Sequence, residues 1–174
     1  SVVAIVRILV EMAVVNGRDL LVTGPPIATF LAVFSLLTFI LYRRRATEVV
    51  HLNPPANPAG MRSAIVFGLL YVIILLAVAA AKDHLGSSGL YGVAVLSGLT
   101  DMDAITLSTA GLMNTDSLDL TTGWRVILIA ALANLAFKGG IAAVVGGKSL
   151  FKLIALVYSI AFATGLAILF FWPA

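Results

Sequence analysis

The sequence predicts an all-α integral membrane protein, a bundle of five to six transmembrane or re-entrant helices, one of them broken over residues 97–103. Three observations predict it. Hydrophobic residues make up 61% of the 174-residue chain and charged residues 11%, with a mean hydropathy of +1.10. A soluble domain carries about 25% charged residues, and a surface this apolar would aggregate in water. The apolar runs lack the polar alternation of a membrane β-barrel, and helices satisfy their backbone within each segment. Finally, the charges punctuate the runs: Arg43-Arg44-Arg45 closes one and Lys82-Asp83-His84 closes another.

Taken in order, residues 1–15 form a short apolar run interrupted by Arg7 and Glu11, followed by the turn Asn16-Gly17-Arg18-Asp19. Residues 26–42 form a second segment, with Pro25-Pro26 at its start, where a missing N–H costs nothing. Residues 47–60 are a polar loop in which Pro54, Pro55 and Pro58 forbid a helix. Residues 61–81 are an uninterrupted span of the roughly 20 residues a bilayer requires. Residues 87–113 are two apolar halves on either side of Ser97-Gly98-Leu99-Thr100-Asp101-Met102-Asp103. A polar loop over 114–122 leads to a fifth segment at 123–145, the turn Gly146-Gly147-Lys148 and a sixth segment at 150–172. Trp124 and Trp172, at segment ends, are expected at the membrane interface. The chain opens at Ser1 directly in an apolar run, so we expect a single transmembrane domain over 1–174 that is the C-terminal part of a longer membrane protein.

The net charge of +3 is small, and its placement is informative. The three consecutive arginines read as a cytoplasmic anchor and not as a nucleic-acid patch, so no nucleic-acid partner is expected. The chain has no cysteine, which excludes disulfides and thiolate metal sites. The fourth segment either crosses fully or dips in and returns; halves of about a dozen residues reach only part-way across.

Thr100-Asp101-Met102-Asp103 is the strongest candidate for chemistry. An ionised carboxylate in hydrocarbon costs several kcal/mol, roughly 2.5–3.5 on insertion scales. Two of them within three residues call for a cation, a basic partner or water. Broken helices in transporters present such groups to ions. Asp101 and Asp103 are the expected metal or cation ligands, with Ser97 and Thr100 as hard-oxygen helpers and the hydroxyls of Thr106, Ser108 and Thr109 nearby. The same residues also fit a helix cap, with Thr100 or Asp101 at the start of a helix beginning near Asp103. Lys138 and Asn134, four apart on one helix face, are supporting polar residues; Lys138 either pairs with the aspartates or snorkels to an interface. Arg7 and Glu11, also four apart, either pair with each other or line the aspartate motif. His51 reads as a surface histidine, and His84 has no second ligand at metal-site spacing.

Two stretches carry a family resemblance. They are Asn57-Pro58-Ala59-Gly60-Met61-Arg62-Ser63-Ala64-Ile65-Val66-Phe67-Gly68-Leu69-Leu70-Tyr71 and the run from Gly89 through Ser97-Gly98-Leu99-Thr100-Asp101-Met102-Asp103-Ala104 to Ser108. With Ala133-Asn134-Leu135-Ala136-Phe137-Lys138-Gly139 they resemble the C-terminal membrane domain of unknown function 4010 of bacterial MgtC/SapB-family proteins. The resemblance implies a multi-pass protein of a bacterial or archaeal cytoplasmic (inner) membrane. That family's name is associated with magnesium homeostasis and virulence, mainly through its N-terminal domain.

These readings converge on a channel or transporter domain for a small cation, divalent such as magnesium or an alkali ion, working as a homo-oligomer with a dimer favoured. One alternative is a non-transporting regulator or scaffold that binds a partner membrane protein. Another is a transporter of a different small solute, held by half-helix N-termini and Lys138. No enzyme is expected: the nucleophile-elbow, zinc-protease and phosphate-loop motifs are absent.

Overall fold

The structure is a computed structural model and describes residues 2–45, 89–100, 102–145 and 147–173. Within them lie helix α1 (Val2–Val15), a 3-10 turn (Gly17–Asp19), α2 (Leu20–Arg45), α3 (Leu90–Thr100), α4 (Met102–Asn114), α5 (Leu120–Val145) and α6 (Gly147–Phe171). No strand occurs among the described residues, so the all-α expectation holds. Two stretches, Gly17–Arg43 and Leu120–Ala142, are long and apolar enough to cross a membrane. The expected span at 61–81, with His51 and His84 beside it, lies outside the described residues.

Helix α5 is the spine. Val126, Ile127, Leu128 and every residue from Ala130 to Leu135 are buried, the all-round apolar burial of a helix enclosed by neighbours. It packs against α2, α3, α4 and α6. The α1–α2 pair wraps one side, and α6 returns antiparallel along another. In that pair Gly139 faces the Tyr158 ring, where a Cβ would lie 2.7 Å from it, so this glycine does permit close helix approach.

The fourth predicted segment folds back on itself. Ala94 clusters with Ile105, Val126 and Ala130, and Gly98 lies directly against the Ala130 backbone; α3 therefore runs parallel to α5. Met102 lies by Ala131, Asn134 and Leu135, whereas Met113 abuts Gly123; α4 therefore runs antiparallel to α5. At 11 and 13 residues, α3 and α4 are about 16 and 20 Å long beside the roughly 39 Å of the 26-residue α5. The hairpin thus enters from one end of the bundle, turns level with the middle of α5, and leaves by the same end. Of the two paths left open by the sequence, this geometry matches the one that dips and returns.

Outward faces explain the composition. Helix α1 buries Ile5, Ile8 and Met12 but exposes Val3, Val6, Val10 and Val14, with Val3 at 80% and Val14 at 79%. A helix at a water boundary would carry polar residues there. Helices α2 and α6 show the same pattern through Leu21, Phe39, Leu156 and Phe170.

One expectation is corrected. Helix α2 begins at Leu20, not at residue 26, and holds Pro25 and Pro26 inside. Each proline removes a hydrogen bond, but the stripe Thr23, Ile27, Phe30 and Phe34 is buried throughout, and that packing outweighs the loss. Trp124, at the start of α5, is packed into the bundle: it is 2% exposed and has the Arg125 guanidinium 5.3 Å above its ring, a cation–π contact.

Candidate functional site

The α3–α4 turn is the centre of the site, and Asn134 fixes it. The last four carbonyls of a helix have no intrahelical donor. Gly98, two residues before the end of α3, is in that position, and the buried Asn134 side chain donates to its carbonyl from Nδ2 at 2.8 Å. Glycine at 98 lets α3 approach closely enough for this bond. One described cause of the helix break is therefore a side chain on α5 that satisfies the interrupted end.

Asp103 stands in the first turn of α4, where a carboxylate is favoured by the helix dipole. Its side chain is 24% exposed and accepts an ion-paired hydrogen bond from Arg7 Nη2 on α1. Arg7 Nε also lies 3.7 Å from Glu11 Oε1. The two readings of Arg7 are thus both realised: it pairs within its helix and faces the aspartate motif. Lys138, one turn beyond Asn134, is close enough to Arg7 for the two cations to repel, and among the described residues it forms no ion pair. Arginine, lysine, glutamate and aspartate from three helices therefore share one region beside the hairpin tip.

The remaining predicted residues are distributed as follows. Ser97 is half-buried in the last turn of α3. Thr100 is the last residue of α3 and Met102 the first of α4. Asp101, which joins them, lies outside the described residues, so the expected carboxylate pair is described at Asp103 alone. Among the described residues no group of three or more histidine, cysteine or acidic side chains is placed to hold a metal. Thr106 and Thr109 are buried on α4, whereas Ser108 faces outward.

A second polar cluster, unforeseen as a unit, closes the open end of the hairpin. Helix α4 ends in a Schellman turn: Ser117 N–H donates to the Leu112 carbonyl at 2.9 Å and Asp116 N–H to the Met113 carbonyl at 3.0 Å. Asp116 occupies the left-handed position usually given to glycine (φ 54°), and its carboxylate accepts from Arg18 Nη2 at 3.0 Å. Asp119 then caps α5, accepting from Thr122 N–H at 2.8 Å. Hydrogen bonds from Thr122 hold the Asp119 carboxyl below the usual carboxylate range. From the sequence, Asp116 and Asp119 are expected either to solvate the loop or to cap the fifth segment; Asp119 does cap it, and the Arg18 contact to Asp116 is the part the sequence does not show.

Comparison with known proteins gives one family and one relative. The family described as "Domain of unknown function (DUF4010)" matches residues 1–146. An uncharacterized protein of Aquifex aeolicus (strain VF5) is 35% identical over 116 residues, covering 66% of this chain and 50% of that protein. The chain thus matches half the length of this relative. No solved structure matches the chain.

Proposed function

Because the chain belongs to the DUF4010 family, whose description states no activity, we propose its function from the geometry: a multi-pass helical domain of a bacterial or archaeal cytoplasmic membrane that conducts a small cation past the tip of a half-length helical hairpin. The observation that carries this reading is Asp103, level with the middle of the central helix and neutralised by Arg7 from a different helix. The apolar outward faces support a lipid surround. The carbonyl end of α3, the negative end of its dipole, and the carboxylates on either side of Met102 favour a cation there.

Arg7 makes the site exchangeable. It lies between two carboxylates, so a cation arriving at Asp103 displaces it toward Glu11, and no charge is left uncompensated. The Arg7 side chain is 56% exposed on the outside of α1; at mid-depth such a charge needs protein cover, which supports a homodimer as the working unit. The test is cation flux in proteoliposomes. Asp101→Asn and Asp103→Asn are expected to abolish flux with the folded yield unchanged; retained flux in both rejects the aspartates as the site, and no flux through the native protein rejects cation conduction.

A second reading rests on the same ion pair. If Arg7 and Asp103 are only a clasp between α1 and α4, the domain is a scaffold for a partner membrane protein. The charge swap Arg7→Asp with Asp103→Arg separates the two: a clasp tolerates the swap, and a cation site does not.

A further inference from the structure

Helix α4 carries a stripe that the tip site does not use. Met102, Thr106, Thr109 and Met113 recur at helical spacing and are buried at 4%, 0%, 1% and 0% exposure. The two methionines contact α5 near Asn134 and at Gly123. Between them, the hydroxyls of Thr106 and Thr109 have no hydrogen-bond partner among the described residues. This is unusual twice over. Buried polar groups are nearly always paired, and a helical threonine has an easy partner in the carbonyl one turn back. Thr23, Thr38 and Thr164 of this chain take that partner at 3.0, 2.8 and 2.9 Å. Thr106 and Thr109 do not.

The polar line continues at both ends. Above Met102, a cavity of about 10 Å³ bordered by Asn134 is the size of a single water. At the other end, the chain from α1 into the 3-10 turn runs beside α4 and its end turn, with sequence offsets of 96 at Arg7–Asp103 and 98 at Arg18–Asp116. That offset brings Asn16 level with the end of α4 at Met113. Asn16 is 1% exposed, and neither its amide nitrogen nor its amide oxygen has a partner among the described residues.

We propose that this stripe is one wall of a narrow path for water and small cations, running between α4 and α5 from the hairpin tip to the Arg18–Asp116 end, and shut in this conformation by Met102 and Met113. The inference deepens the cation reading and rests on it for the cargo. The path itself needs only orphaned hydroxyls and movable plugs, and methionine is the side chain best suited to moving aside.

The absence of cysteine from the chain permits a direct test on the full protein in proteoliposomes. Thr106→Cys and Thr109→Cys are expected to react with a water-soluble, membrane-impermeant thiol reagent at least about tenfold faster than Leu107→Cys and Leu112→Cys, since thiol modification follows access. The two leucines are on the outer face of α4, and Ser117→Cys in the exposed end turn is the positive control. Reaction at 106 and 109 supports the path even if the native protein shows no cation flux, in which case only the cargo is reassigned to water or another small solute. No faster reaction at 106 and 109 than at 107, with 117 labelled, overturns it. Should the cysteine variants fail to fold, the isosteric Thr106→Val/Thr109→Val protein replaces them. Its osmotic water permeability is expected to fall toward that of empty liposomes, and unchanged permeability overturns the path.

Discussion

Replacing Gly98 by alanine tests the hairpin's attachment to α5. A Cβ at this position would lie 2.8 Å from Ala130 Cα and 2.9 Å from its carbonyl carbon. Those atoms are backbone and cannot turn aside. The Ala130 carbonyl oxygen would be nearer still, and ordinary contact begins at 3.4 Å, so α3 must retreat by about 1 Å. The Asn134–Gly98 bond, now 2.8 Å, would be carried well past the usual range of about 2.7–3.2 Å. The methyl group therefore acts twice. Overpacking costs about 1–3 kcal/mol, and leaving a buried carbonyl unsatisfied costs about 1–3 kcal/mol. Because the effects share one displacement they are not additive, and a total of about 2–5 kcal/mol is expected. The assay is reversible unfolding in mixed micelles, with Gly111→Ala on α4 as control. No atom lies within 4 Å of the Cβ that Gly111 would gain, so that change should stabilise by about 0.5–1 kcal/mol. Equal stabilities for Gly98→Ala and the native protein would refute the close parallel packing of α3 on α5.

Further outcomes are expected elsewhere. Arg7→Met should destabilise the protein in a bilayer by about 2–3 kcal/mol by removing the cation that faces the Asp103 and Glu11 carboxylates in low dielectric; adding Asp103→Asn should restore part of this, and a double-mutant cycle should give a coupling of about 0.5–3 kcal/mol. Asp116→Ala should cost about 1–2 kcal/mol for a left-handed residue without a local hydrogen-bonding side chain, whereas Asp116→Gly should be nearly neutral in the same unfolding assay. Asp119→Ala should cost about 0.5–2 kcal/mol as a lost helix cap. Asp119 also predicts a pH dependence. Its folded pKa lies below its unfolded value, so its contribution is complete above pH about 4 and is lost as the pH falls through the lowered folded value. Asp119→Asn should flatten that part of the acid unfolding curve.

Much of the helix inventory was legible because it follows from composition. Long apolar runs bounded by charges and glycines give helices whatever their neighbours, and the break near residue 100 was announced by Gly98, Thr100 and two aspartates. What escaped was everything set by contact between distant segments. The early start of α2 depends on burying Thr23 and Ile27, which outweighs the two prolines. The burial of Trp124 depends on the core it shares with Met113 at the end of α4. The partner of Asp103 lies 96 residues away on α1; the sequence offers the Glu11 pair and the aspartate motif as alternatives for Arg7, and only the packing of α1 on α4 shows that both contacts hold at once. The return of α4 along α3 is one of two paths the sequence allows, since apolar halves of this length fit either a crossing or a dip until Gly98, Ala130 and Asn134 meet.

The most direct measurement is the depth of the hairpin tip. Ala104, exposed in the first turn of α4, can be changed to cysteine and spin-labelled in a bilayer, with Ser117→Cys as the reference at the bundle end. Half-length helices that turn level with the middle of α5 predict that the label at 104 is relaxed by dissolved oxygen and shielded from an aqueous nickel chelate, and that the label at 117 shows the reverse. Equal access of the chelate to both positions would put Asp103 at the membrane surface and contradict an ion site within the bilayer.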